Sequence, residues 1–296
     1  MANHNNIARN ILILENYKWL QQLTGDAGIR IIPFKGIDLL QQYYEYCSDR
    51  ECADIDVLVP SLEECERLVA LLLQNGYSLQ FPFAADAKVL EDKGKVSLIA
   101  YSHLQVDIDI HLRLVTKKYY ASTIGSFHTD MLARCVNDRL DPLDHWLVLA
   151  QHAVFHAFTD PKWLRDMALI SDSWNEEQWK ILHARAQQYG MERIYVVTCT
   201  LLRRELPPCC KETLFLRRYG FRMHFIHRHI CSHLVGTTLE FICIDSYKQR
   251  QLTRLHFLCP SVQRLQNMYR IPHAGIAVLF YPLHWLIALL YLLLIL

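Results

Sequence analysis

The sequence predicts an α+β protein: a mixed sheet with flanking helices at the N-terminus, followed by a helical domain. Three observations carry this expectation. Apolar residues recur with period two over 53–60 and 103–114, the pattern of strands with two distinct faces. Stretches of helical length, with glycine stops, lie between and before them. Beyond Asp141 only helical lengths appear. The expected parts are an α/β core over 1–140, a helical domain over 141–270 and an apolar C-terminal helix over 271–296. No internal repeat or low-complexity linker separates them.

Taken in order, residues 6–23 read as an amphipathic helix that ends near Thr24-Gly25. The apolar run 29–34 leads into Lys35-Gly36 and a helix-like stretch to about Tyr46, which makes strand, glycine turn, helix. Residues 47–52 are polar and loop-like. In 53–60, Ile55, Val57 and Val59 face one way, with Asp54, Asp56 and Leu58 on the other face. Ser61 with Glu64 three residues on predicts a capping box, and Gly76 is a natural stop after Asn75. A second strand is expected over 96–101. The third, 103–114, places Val106, Ile108, Ile110 and Leu112 on one face and Gln105, Asp107, Asp109 and His111 on the other. Helices follow over 142–158, 161–173, 176–189 and 192–205, until Pro207-Pro208 breaks the series. The stretch to about Arg270 keeps a helical pattern, and its Arg217, Arg218, Arg222 and Arg228 read as a solvated face rather than a site for an anionic partner, the less usual alternative.

Of the 296 residues, 52% are hydrophobic, enough for a sizeable core. The charge is balanced, 31 Lys and Arg against 30 Asp and Glu, which argues against a nucleic-acid partner. Ten cysteines show no CxxC pair and no zinc-finger spacing, and the N-terminus lacks the layout of a secretory signal. A cytoplasmic protein is the simplest expectation. Residues 271–296 contain no Lys, Arg, Asp or Glu, and 275–296 supplies the roughly 20 apolar residues of a spanning helix. Pro282 and His284 weigh against a span. Two readings stay open, a membrane-associated tail and a last helix buried in the core or against a partner.

The chemistry is expected at Asp54 and Asp56. Two aspartates at i and i+2 on a strand share a face, and close carboxylates are costly without a cation or proton between them. Mg²⁺ prefers oxygen ligands and keeps waters for substrate phosphates. A third carboxylate from the acidic strand, Asp109 or Asp107, would complete a two-ion clamp for in-line phosphoryl or nucleotidyl displacement.

The succession F-K-G at 34–36, Arg50, D-I-D-V-L-V at 54–59, N-G-Y at 75–77 and D-I-H at 109–111 resembles the uncharacterised nucleotidyltransferase family. That family belongs to the nucleotidyltransferase superfamily with the polymerase-beta-like fold. L-A-Q-H-A-V-F-H at 149–156, W-L-R-D-M-A-L at 163–169 and R-L-H-F-L-C-P-S at 254–261 extend the likeness into the helical half, so it runs from about residue 30 to 270.

The resemblance implies a nucleotidyltransferase-type sheet and two Mg²⁺ ions, with a nucleoside triphosphate such as ATP as co-substrate. It implies that Asp54 and Asp56 bind both ions, and that Asp109 binds the catalytic ion and helps deprotonate the acceptor hydroxyl. Asp109 is favoured over Asp107 because it alone has the D-x-H context. Lys35, Gly36 and Arg50 become the nucleotide-binding candidates, with Gly36 admitting the phosphates to the backbone and Lys35 pairing with them. Most of the superfamily has Gly-Ser where this chain has Lys-Gly.

His111 is expected either to contact substrate or to orient a carboxylate. His145, His152 and His156 share a helix face, but seven residues span roughly 10 Å, too far for one metal. A polar seam or substrate-facing stripe is expected there rather than zinc. Asp166 is expected to pair with Arg165 or to line the cleft between the halves. The expected acceptor is a small molecule, a peptide or protein, or an RNA end, with the balanced charge mildly disfavouring RNA. Two alternatives stand beside this reading: a catalytically inactive nucleotide- or partner-binding module, and a related transferase that uses an activated sugar.

Overall fold

The computed structural model describes residues 4–80, 94–100, 102, 104–114, 124–156 and 158–203, with 243, 244, 259, 260, 262, 265, 273–286 and 289 beyond them. Its strands are β1 (Ile32–Pro33), β2 (Ile55–Leu58), β3 (Tyr77–Leu79), β4 (Lys95–Ala100) and β5 (Ile108–His111). Helices α1 (His4–Asp26), α2 (Gly36–Gln42) and α3 (Leu62–Gln74) interleave with the sheet. After it come α4 (Ile124–Arg134), α5 (Pro142–Phe155), α6 (Lys162–Ser171), α7 (Glu176–Gln188), α8 (Glu192–Leu201) and α9 (Ala274–Leu279). The protein is thus mixed α/β, with a five-stranded sheet followed by helices.

The strand order is β1-β2-β5-β4-β3. The β2–β5 pair is parallel and the other three pairs are antiparallel. Both acidic strands are shorter than their alternation suggests. A side-chain pattern continues wherever residues alternate, but a strand lasts only while its neighbour supplies hydrogen bonds. Here the ladder ends with Ile55 N–H on the Asp107 carbonyl and Val59 N–H on that of His111. Strand β3, three residues after Gly76, was not anticipated; its partner is β4.

The alternation in β2 and β5 separates two packing layers. Ile55, Val57, Val59, Ile108 and Ile110 pack with Ile13, Tyr17 and Leu20 of α1 and Leu68 and Leu72 of α3. Each such buried side chain contributes about 1.5–3 kcal/mol. Leu58, on the opposite face, joins the core of the helical half around Trp146 and Leu147. Helix α5 is buried along most of its length and forms the centre of that half. Asp141 caps it by accepting from the N–H groups of Leu143 and Asp144, at 3.0 and 3.4 Å, with Pro142 at the first position where no N–H is needed. The acidic face of the sheet therefore lies under helices.

Some local expectations change. Ser61 caps α3 through the Glu64 N–H, but the Glu64 carboxylate accepts from Arg30 N–H at 3.1 Å instead of closing a reciprocal box. The full capping box is found at Asn175 and Gln178, opening α7. Helix α2 stops at Gln42, not near Tyr46, and the Tyr44 hydroxyl donates to Asp166 at 2.7 Å.

At the C-terminus, α9 ends at Leu279, before Pro282, so the expected single helix is interrupted. Ile276, Val278, Leu279, Leu283, Trp285, Leu286 and Leu289 are exposed there. Among the described residues, no helix is long and apolar enough to cross a membrane. The arginines at 217, 218, 222 and 228 lie outside the described residues.

Candidate active site

The register of the parallel pair places Asp56 opposite Asp109 and Leu58 opposite His111. Paired positions project to the same side of a sheet, and each strand repeats its face every two residues. Asp56, Asp109 and His111 consequently converge, with ligand atoms all within 4.8 Å of one another. All three are buried, at 5%, 9% and 8% exposure. Two carboxylates so placed require positive charge beside them.

Two lysines meet that need in this structure, and a histidine adds a hydrogen bond. Lys35 Nζ lies 2.7 Å from Asp56 Oδ1, and His111 Nε2 lies 2.9 Å from the same oxygen. Lys95, opposite His111 in the β4–β5 register, puts its ammonium on Asp109 Oδ2. Burial by itself would raise the Asp56 pKa, but Lys35 and the His111 hydrogen bond outweigh it and hold the carboxylate well below its ordinary range. Burial lowers the His111 pKa, so its Nε2–H is best described as a neutral donor to ionised Asp56.

Asp54 stands just before β2 and outside the three-residue cluster. It still feels the site: burial, then the charges of Asp56 and Asp109, push its pKa up to about 6. A cation placed among these carboxylates would reverse that penalty. Asp107 is exposed and accepts from the Ala100 N–H at 2.9 Å, away from the cluster.

Lys35, expected on phosphates, is paired with Asp56 in this structure. Arg50, expected on the nucleotide, is buried and holds Asp166 in a two-pronged pair, with Nε to Oδ1 and Nη2 to Oδ2 each at 2.9 Å. Its Nη1 bonds Cys52 Sγ at 2.9 Å and the Glu51 carbonyl at 3.3 Å. Asp166 thus pairs with Arg50, not with Arg165. The Arg165 guanidinium lies over the Tyr44 ring and donates to the Asp49 carbonyl. Gly36 has a packing reason of its own: a Cβ there would meet Arg50 Nη1 and Cys52 Sγ, each at 2.8 Å.

The histidines of α5 separate by role. His145 is turned inward to Lys35 and Asp38. The His152 and His156 rings lie 4.6 Å apart and tilted by 56°, with the Trp163 ring 5.4 and 5.2 Å from them. The His152 pKa is pushed well below its ordinary value, first by burial and then by Lys35, with Asp56 and His111 also within its field. This histidine and aromatic group therefore flanks the carboxylates.

A family model described as "Uncharacterised nucleotidyltransferase" matches residues 1–207. The chain belongs to this family. The match spans the whole sheet and helices α1–α8 and ends before the 254–261 motif, which lies largely outside the described residues. No curated protein matches the chain. For a nucleotidyltransferase family member the Asp/Asp/His group is a fitting divalent-metal site. Its two carboxylates are hard oxygen donors, which Mg²⁺, Ca²⁺ and Mn²⁺ favour, whereas an imidazole nitrogen better suits zinc, copper, iron or nickel. Because His111 already donates to Asp56, it serves the carboxylate as an orienting partner.

Lys95 and His145 were missed as site residues in the sequence. Lys95 opens a strand with no motif around it, and only the β4–β5 register shows what it faces. His145 was visible only as one member of a histidine stripe.

Proposed function

We propose that this chain is a Mg²⁺-dependent nucleotidyltransferase that moves a nucleoside monophosphate from a nucleoside triphosphate to an acceptor hydroxyl. The observation that carries this reading is the direct register of Asp56 with Asp109 on parallel strands, inside a family-matched sheet. The acceptor oxygen attacks the α-phosphorus, the bond from that phosphorus to the pyrophosphate oxygen breaks, and pyrophosphate leaves. Mg²⁺ held by Asp54, Asp56 and Asp109 would neutralise phosphate charge and align the two oxygens in line. Asp109 receives the acceptor proton. His111 keeps Asp56 oriented and ionised. Lys35 and Lys95, displaced from the carboxylates, are free to meet the triphosphate.

One observation favours a second reading. The lysines already neutralise Asp56 and Asp109, so the cluster is satisfied without a metal, as a binding module without turnover would require.

The test is incubation of the full chain with each α-labelled nucleoside triphosphate, Mg²⁺ and a crude extract as the source of acceptor. Label on a product, lost in Asp56→Asn and in Asp54→Asn while both variants keep the wild-type circular dichroism spectrum, is the expected result. Mutational loss of a group that stabilises developing charge costs about 10²–10³ in rate. Nucleotide binding with no transfer under any condition would support the binding module instead.

A further inference from the structure

Lys35 has an unusual backbone. Its φ is 54° and ψ −130°, a region that glycine enters readily and a side-chain-bearing residue does not. Strain of this kind persists only where the surroundings over-determine it. The surroundings here are specific. Phe34 N–H is tied to the Asp56 carbonyl at 3.3 Å, and the Lys35 carbonyl accepts the first α2 bond, from Leu39 N–H at 2.9 Å. Between these two ties the Lys35 N–H donates to His145 Nε2 at 3.1 Å.

An imidazole nitrogen that accepts carries no hydrogen, so the His145 hydrogen sits on Nδ1. That atom lies 3.3 Å from Asp38 Oδ2, a contact of ion-pair length. His145 is 1% exposed and Asp38 is fully buried. Neither Asp38 oxygen makes a hydrogen bond of good geometry, and the imidazole contact is the ion-pair-length support it has. An unbonded buried carboxylate is an expensive core residue, and native proteins keep few such groups. Its field holds the proton on Nδ1 and leaves Nε2 as the acceptor, the arrangement by which carboxylates fix histidine tautomers elsewhere.

We propose that Asp38 and His145 are positioning residues for Lys35: the helical half, through α5, holds the Lys35 backbone in the turn that aims its ammonium into the carboxylate cluster. Without the His145 acceptor, the residue relaxes to an ordinary conformation and its side chain leaves the Asp56 side of the sheet. In the nucleotidyltransferase reading, on which this part rests, the same turn presents the ammonium to the triphosphate.

Two measurements test the proposal. The first is equilibrium binding of α,β-methylene nucleoside triphosphates with Mg²⁺ to wild type, Lys35→Ala, His145→Ala, the double variant and Asp38→Asn. Loss of one charge-assisted contact corresponds to about tenfold weaker binding. His145→Ala and Lys35→Ala should each weaken binding by about that factor, and the double variant should be no worse than Lys35→Ala alone. Asp38→Asn, which preserves shape, should show a smaller loss in the same direction. If the two single losses multiply in the double variant, or if His145→Ala binds like wild type, the proposal is overturned. Should His145→Ala not fold, His145→Gln replaces it in the same cycle.

The second measurement needs no nucleotide. The Lys35 amide of the metal-free chain should exchange slowly in wild type and much faster in His145→Ala, while neighbouring core amides are unaffected. Unchanged exchange at Lys35 overturns the positioning role whatever the activity. Absence of nucleotide binding in wild type, with exchange that still depends on His145, overturns the function reading and leaves the backbone device standing.

Discussion

Two carboxylate and cation groups lie near one another in this protein and are built in opposite ways. At the sheet face, Asp56 and Asp109 are met by lysines on flexible stems, and the Lys95 side chain is 39% exposed. At the junction with α6, Asp166 is gripped by the planar fork of Arg50, with both partners at 5% exposure or less. An ammonium is a mobile point charge that another cation can displace, whereas a buried two-pronged guanidinium is a fixed strut. Position in the fold thus decides which ion group is exchangeable and which holds the halves together, since both consist of the same charges.

The contrast is broken most strongly at the strut. Arg50→Ala strands a buried carboxylate and should cost about 3–5 kcal/mol of stability, read from denaturant midpoints. A loss of activity without loss of stability would instead return Arg50 to the nucleotide.

The next effect in size is at Asp54, whose pKa is raised from 3.8 to about 6 in the metal-free fold. A carboxyl that binds its proton more tightly folded than unfolded favours folding at low pH, and that contribution disappears as pH rises through the folded value. Metal-free wild type should therefore lose stability between about pH 4 and 6. Asp54→Asn should be more stable than wild type above that window, by about 1–3 kcal/mol, and equal to it below. Saturating Mg²⁺ should close the gap. Melting curves across pH check this, and a variant no more stable at pH 8 would refute it.

Gly36→Ala sharpens the comparison from the packing side. Its Cβ would press on Arg50 and Cys52, at a cost of about 1–3 kcal/mol. If stability is unchanged and only the KM for the nucleoside triphosphate rises, the glycine serves phosphate approach rather than the strut. Lys95→Ala should have the smallest effect on stability, within about 0.5 kcal/mol. Titration calorimetry should nevertheless show tighter Mg²⁺ binding in the nucleotide-free chain, because a competing cation is gone. Weaker binding would make Lys95 a structural partner of Asp109.

Much of the site was legible before the structure, for local reasons. Period-two alternation in D-I-D-V-L-V and V-D-I-D-I-H told which residues of each strand share a face with apolar neighbours behind them, and the family resemblance implied that the two acidic faces belong to one site. Alternation does not say where a ladder begins. Asp54 and Asp107 share the pattern but stand just before β2 and β5. Arg50 was read through its motif neighbours, yet its partner lies 116 residues away.

The sequence by itself determined the elements: strands with one acidic and one apolar face, a glycine turn before α2, and capped helices after the sheet. All of these follow from backbone and side-chain periods within a few residues. Only the tertiary structure decided that Lys95 meets Asp109, that Arg50 meets Asp166, and that Asp38 and His145 hold Lys35. Those pairings depend on strand register and on how α5 and α6 dock against the sheet. Register and docking are set by packing between residues far apart in the chain, which no local period records.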